Sequence, residues 1–295
     1  MTTPGATSVP ASSLRKSIRW VPQLSSFKDR NGLDLLWDGD PSFWNGRAPL
    51  LFPIVGTVAN GRYHLDGRSF PLSRHGFARD KLFEVTRATE SAATFRLRAD
   101  EGTFAVYPFH FELDTCFHLK GRTLAIRTQI RNMDSEPMPA SFGYHPAFRW
   151  PLPYGQARED HRLEFETEEQ CVVRRIDSSG LMLPAPQPSP VAGRHLELQD
   201  GLFNQDVLIL EQPRSRSVVY GAARGARLRL SFPTATYLGL WSKPGAPFLC
   251  IEPWEGVTDP VGFAGGFRQK PGVFQIAPGE LKTIAISVEW LAGLE

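Results

Sequence analysis

The 295-residue chain has little cysteine. The three residues, Cys116, Cys171 and Cys250, are odd in number and contain no C-x-x-C pair. That excludes a disulfide framework and a zinc ribbon, and it fits a reducing compartment. Charge of one sign is also lacking, because 33 Lys+Arg against 31 Asp+Glu leave a formal +2. Nothing electrostatic therefore points to nucleic acid or an anionic membrane as a partner. No run approaches the roughly 18 consecutive apolar residues that a membrane helix needs, so a soluble globule is expected. There is no G-x-x-x-x-G-K-[ST] loop, no H-E-x-x-H, no G-x-S-x-G elbow and no strand-led G-x-G-x-x-G. These absences remove the usual support for nucleotide hydrolysis, zinc proteolysis, the α/β-hydrolase class and dinucleotide redox chemistry. The seven histidines show no paired metal-ligand spacing, so no metal is expected.

What is present in quantity is glycine (26), proline (25) and aromatic side chains (11%). From about Trp20 onward, short alternating runs are broken every few residues by turn residues, the pattern of antiparallel sheet. Phe111, Leu113, Thr115 and Phe117 alternate with Glu112, Asp114 and Cys116. Ile284, Ile286, Val288 and Trp290 alternate in the same way near the C-terminus. Asn60-Gly61, Asp66-Gly67 and Asp200-Gly201 are dipeptides suited to tight hairpins. No segment keeps helical periodicity over three turns, and no helices interleave the strands as a parallel sheet demands. The expected fold is all-β, a large antiparallel sandwich. Residues 1–17, rich in Thr, Ser, Ala and Pro, read as a disordered lead-in, with Arg15, Lys16 and Arg19 as a solvated basic cluster. Residues 18–295 read as one domain, with Pro151 to Pro190 a long surface excursion.

Four segments place polar residues in apolar, Gly- and Pro-punctuated surroundings. In Trp44–Gly56, two prolines argue against a central strand, and Arg47 at its head either caps a sheet edge or serves a site. In Ser73–Asp80, Gly76 lets the backbone bend directly after His75, a histidine open to a structural or a functional role. In Pro139–Phe148, His145 is restricted by the following Pro146, and a fixed imidazole with an ordinary pKa of about 6.5 suits proton transfer. In Trp241–Gly256, Glu252 follows the apolar run Phe248–Ile251, an environment in which carboxylates are rare without a partner or a function. One buried glutamate and one fixed histidine form an acid/base pair, and neighbouring tryptophans offer flat faces for sugar rings. Proton transfer on a carbohydrate or similar polyol is the chemistry these residue types suggest.

Read in order, LFPIVG (Leu51–Gly56), HGFARD (His75–Asp80), YPFHFEL (Tyr107–Leu113), SFGYHPAF (Ser141–Phe148), LFNQD (Leu202–Asp206), FLCIEPWEG (Phe248–Gly256) and the terminal IAPGE (Ile276–Glu280) resemble the aldose 1-epimerase, or galactose mutarotase, family. The motifs are most similar to its bacterial branch of lactose-operon mutarotase-like proteins. The resemblance spans about residues 20 to 292. It implies a β-supersandwich that interconverts the α and β anomers of free aldohexoses through the open-chain aldehyde, without cofactor or metal. Its partner is then a small sugar; with the cysteine count and the charge balance, a cytoplasmic monomer or homodimer is expected, with no nucleic-acid or membrane partner.

By motif, the resemblance makes Glu252 the general base at the C1 hydroxyl and His145 the general acid at the ring oxygen. Glu252 is then expected ionised and His145 protonated, each charge supporting the other. His75 and Asp206 match residues that bind the sugar, Arg79 and Arg47 match basic positions that hold a phosphate or hydroxyls, and Trp241 is a wall of the pocket. Two departures bear on the substrate. The branch commonly reads FPIVGR, whereas here Thr57 follows Gly56, so a basic role falls to Arg47, Arg62 or Arg79. Glu255 adds a second carboxylate near the site, which speaks against phosphorylated sugars. Two alternatives accompany the free-sugar enzyme: a hexose-6-phosphate mutarotase, and a carbohydrate-binding or sensing protein that does not turn over. Cys250, two positions before Glu252, is expected on the same strand face as lining.

Overall fold

The computed structural model describes residues 19–293; the lead-in over residues 1–17, with Arg15 and Lys16, lies outside them. Two antiparallel sheets hold most of the strands. The larger has ten strands, in the order Arg19–Trp20, Phe83–Ala88, Ala92–Arg98, Phe111–Lys120, Thr123–Asn132, Leu281–Leu291, Arg227–Ser231, Ser217–Ala222, His161–Phe165 and His195–Glu197. In the smaller, Val173–Arg174, Leu208–Glu211, Tyr237–Trp241, Phe248–Glu255, Phe142–Tyr144 and Leu50–Leu51 follow one another, and Ala147–Arg149 pairs beside Phe142–Tyr144 on Phe248–Glu255. The one α-helix among the described residues, Glu101–Val106, is a single capped turn and a half, closed by a box between Asp100 and Thr103. Among the described residues, no helix is long and apolar enough to cross a membrane.

Alternation places one face of every long strand on a shared core. Phe111, Leu113, Ile126, Ile130, Leu228, Leu230, Ile286 and Val288 of the large sheet meet Phe142, Tyr144, Leu208, Leu238, Leu240, Leu249 and Ile251 of the small one, all buried. Because odd residues of Phe248–Glu255 enter that core, the even ones, Cys250, Glu252 and Trp254, are set on the opposite face of the small sheet. Two satellite clusters lie on that outer face, one around Trp254, Ile209 and Tyr237 and one around Cys250, Phe248 and Trp37.

Turn chemistry matched expectation unevenly. Asp66-Gly67, with φ of 48° and 77°, closes the hairpin between Arg62–Leu65 and Arg68–Pro71. Asn60-Gly61 also has positive φ but ends a 3-10 turn leading into a strand, and Asp200-Gly201 opens the 3-10 turn Asp200–Phe203. Neither joins a hairpin, because a turn dipeptide fixes a bend and not the partner on each side. Pro49 and Pro53 flank Leu50–Leu51, which lies at the edge of its sheet. The Pro151–Pro190 stretch is less of an excursion than its composition suggests. His161–Phe165 joins the large sheet and Val173–Arg174 the small one, and Ile176 and Met182 pack onto the outer-face cluster. Strands of two to five residues are too short for alternation to register.

Candidate active site

Phe248–Glu255 carries the site because two different short strands share one of its edges. Phe142 and Gly143 pair with Glu255 and Trp254, whereas Ala147, Phe148 and Arg149 pair with Cys250, Leu249 and Phe248. The break between them is His145-Pro146, where proline has no N–H to continue the ladder. Opposite the break stand Ile251 and Glu252, with the Ile251 N–H donating to the Pro146 carbonyl. The interruption turns His145 onto the outer face and sets its Nε2 3.1 Å from Glu252 Oε2. Both residues are buried, Glu252 at 1% exposure and His145 at 8%. The two atoms approach without hydrogen-bond alignment, and among the described residues Glu252 Oε2 and His145 Nδ1 have no hydrogen-bond partner. Unpartnered buried polar atoms are few in native proteins and cluster where chemistry is done.

Burial dominates the electrostatics, and it runs against the expected charge states. It pushes the Glu252 carboxyl well up, opposed by the nearby Arg74 guanidinium. It pushes His145 down to about 3, with the positive charges of Arg79 and Arg74 adding to the effect. Burial therefore favours a protonated carboxyl and a neutral imidazole over the ionised pair expected from mutual attraction. A pair this close titrates as one unit.

His75 stands beside them, its ring centroid 5.9 Å from that of His145. His75 takes φ 67° and Gly76 φ 72°, and a Cβ on Gly76 would come within 2.2 Å of the Phe52 carbonyl oxygen, so only glycine permits this crossing of the two segments. The Gly56 N–H donates to His75 Nδ1 at 3.1 Å. With Nδ1 accepting and burial holding the ring neutral, the remaining hydrogen is on Nε2, a fixed donor. Asp206, at φ 61°, is near enough to push Glu252 further up, and its carbonyl accepts from buried Arg175 at 3.1 Å. Trp241 and Trp44 meet edge to face at 5.4 Å, and both rings pack against His145. Trp254 lies over Gly143 and Gly239, where a Cβ would come within 2.6 and 2.5 Å of its ring.

The arginines divide. Arg47 donates to the Ser25 carbonyl at 2.9 Å and Arg62 to Ser69, so the first holds a neighbouring loop and the second its own hairpin. Arg79 acts on both histidines. Arg74, which the sequence reading passed over although it precedes His75, acts on all three buried groups. A Cβ on Gly180 would lie 2.8 Å from Thr57 Oγ1 and 3.9 Å from Arg74 Nη1, so Arg74 occupies the space beside Thr57. Glu255 is not near the site. It is three residues from Glu252 and so on the inner face, where its carboxylate pairs with Lys282 Nζ at 2.7 Å. Trp44 was visible at the head of its segment, whereas Arg175 had no signal. Cys250 does share the face of Glu252, and the metal-binding atoms of His145, Cys250 and Glu252 all lie within 4.8 Å of one another.

Residues 23–270 match the family model described as aldose 1-epimerase. The chain belongs to the aldose 1-epimerase family. Protein LacX of Lactococcus lactis subsp. lactis, a relative of this aldose 1-epimerase family member, is 35% identical over 266 residues, covering 87% of this chain and 89% of its own. Among solved structures, a galactose mutarotase-like protein from Lactobacillus casei superposes with a TM-score of 0.85 at 29% identity, covering 91% of this chain and 93% of its own. A galactose mutarotase related enzyme from Lactobacillus acidophilus gives 0.83 at 28%, covering 92% of each. The all-β family fold is thereby shown, and with it membership of an isomerase family.

Proposed function

We propose that the chain is an aldose 1-epimerase that interconverts the α and β anomers of a free aldohexose, with Glu252 and His145 as the proton-transfer pair. The observation that carries the reading is the 3.1 Å approach of His145 Nε2 to the buried Glu252 Oε2, which has no hydrogen-bond partner among the described residues, beside a fixed histidine donor. The empty pair begins with its proton on Glu252. As a sugar enters, its hydroxyls replace the solvation that burial removed, and the proton crosses to His145 Nε2, leaving a carboxylate that Arg74 favours. Glu252 then takes the C1 hydroxyl proton while His145 gives its proton to the ring oxygen, and the C1–O5 bond breaks. C1 rotates about its bond to C2, and the reverse transfers close the ring on the other face. His75 Nε2–H and Asp206 hold hydroxyls, and Trp241 and Trp44 wall the ring. No step calls on a cofactor.

Polarimetry on freshly dissolved α-galactose and α-glucose tests this, with faster approach to the equilibrium rotation expected for at least one. A rate equal to buffer alone for every free aldose tried would sink it. A hexose 6-phosphate is the second reading. It is favoured by the exposed Arg74 and Arg79 beside the pair, and the objection from Glu255 falls with its inward position. Anomer exchange of glucose 6-phosphate by NMR decides between the two.

A further inference from the structure

We propose that the floor of this site is also a binding site for a thiophilic divalent cation of the Zn²⁺ class, held by His145 Nε2, Cys250 Sγ and Glu252 Oε2. The three ligand atoms come from two elements on one sheet face and lie within 4.8 Å of one another. Four-coordinate zinc, with bonds of about 2.0–2.3 Å, sets its ligands roughly 3.5 Å apart, so a rotamer adjustment of about an ångström completes the set. The His145–Glu252 edge is already at 3.1 Å. Three protein ligands leave the fourth position open to water.

Two further observations point to an ion. Glu252 Oε2 is buried without a hydrogen-bond partner among the described residues, on a residue 1% exposed, and it lies 3.1 Å from His145 Nε2. The charges also balance. On binding, the Cys250 thiol proton and the proton of the Glu252–His145 pair leave to solvent. Thiolate, carboxylate and neutral imidazole then carry two negative charges against the two positive charges of the cation. A buried neutral cluster avoids the desolvation cost of a buried net charge. Exposed Arg74 and Arg79 oppose the cation, an effect that solvent screens in part. Sulfur and imidazole in the set select against Mg²⁺ and Ca²⁺. Bound metal occupies both proton-transfer atoms, so it stops turnover, a consequence that rests on the proposed reaction.

Co²⁺, a spectroscopic stand-in for Zn²⁺, tests the site on the intact protein without any sugar. One equivalent is expected to give the near-ultraviolet band of a thiolate–cobalt bond with tetrahedral visible transitions, and Zn²⁺ is expected to bleach both. The C116S/C171S variant keeps the band and C250A loses it, with Zn²⁺ affinity lowered at least about tenfold. No thiolate band in the wild-type protein, its loss in C116S/C171S, or a band unchanged in C250A would overturn the proposal, and the first two hold even if C250A fails to fold. In parallel polarimetry, Zn²⁺ should inhibit and a chelator restore the rate while Mg²⁺ does neither. An intact cobalt band in a protein inert toward sugars would leave the metal site standing and defeat only the proposed reaction.

Discussion

Glu252 and Glu255 lie on the same strand, both are buried, and they are three residues apart. Their surroundings differ in one respect. Glu255 faces the inter-sheet core and is neutralised by Lys282 at 2.7 Å, an arrangement that serves the fold. Glu252 faces outward onto His145, no salt-bridging cation lies within 4.0 Å of it apart from that imidazole among the described residues, and burial lifts its pKa. A buried carboxylate that is matched serves stability, whereas one left unmatched has its protonated form favoured by burial. Asp259 and Lys270 repeat the matched case at 2.5 Å, both nearly inaccessible, where they tie the Thr57–Ala59 segment to the segment after Thr258.

The contrast yields predictions in order of size. E252Q and H145N are each expected to lower kcat by about 10² to 10⁴ with thermal midpoints near wild type, because Gln is close in shape to the protonated acid; full activity in either would break the contrast. K270A should do the reverse, leaving Asp259 buried and uncompensated at a cost of about 3–5 kcal/mol, read as an earlier urea midpoint. R74A removes the charge beside the pair and should raise KM roughly tenfold with a smaller change in kcat, the sort of loss expected when a charged hydrogen bond of about 1.5 kcal/mol disappears. An effect on kcat alone would show that Arg74 tunes the pair without holding the sugar. E255Q, whose partner Lys282 is 36% exposed and rehydrates readily, should cost only about 1 kcal/mol and leave turnover intact.

The pH profile sharpens the same point. The singly protonated pair persists until His145 takes a second proton, toward about 3, so kcat/KM should stay level as pH falls through the ordinary imidazole value of about 6.5. An acid limb at that value would mean that His145 titrates as an exposed imidazole. The alkaline limb belongs to loss of the shared proton and lies above the usual carboxylate range, because burial raises Glu252.

Much of this was legible from residue order. Alternation in Phe111–Lys120 and Leu281–Leu291 announced two of the longest strands, and the two prolines beside Leu50–Leu51 argued against a central strand there, in keeping with its place at a sheet edge. The motifs carried Glu252, His145 and His75 to one site before any coordinates, since a residue fixed by Pro146 or Gly76 is marked by its neighbour. The arginines were not legible. Arg47, Arg62, Arg74 and Arg79 are equally flexible four-rotor chains, and only their partners, Ser25 for Arg47 and Ser69 for Arg62, sort them.

The sequence by itself determined the all-β class and the family, and it singled out Glu252 and His145 as the proposed proton-transfer pair, because period-two alternation and short motifs are local properties. Tertiary structure decided which way each group faces and what charge it carries. The face of Glu255 follows from the register of Phe248–Glu255 against its neighbours, and the depressed His145 and raised Glu252 follow from burial, which depends on every layer packed around them. The sequence-based expectation of mutual attraction between opposite charges failed for that reason: in a dry site, the cost of desolvating two charges outweighs what they gain from each other.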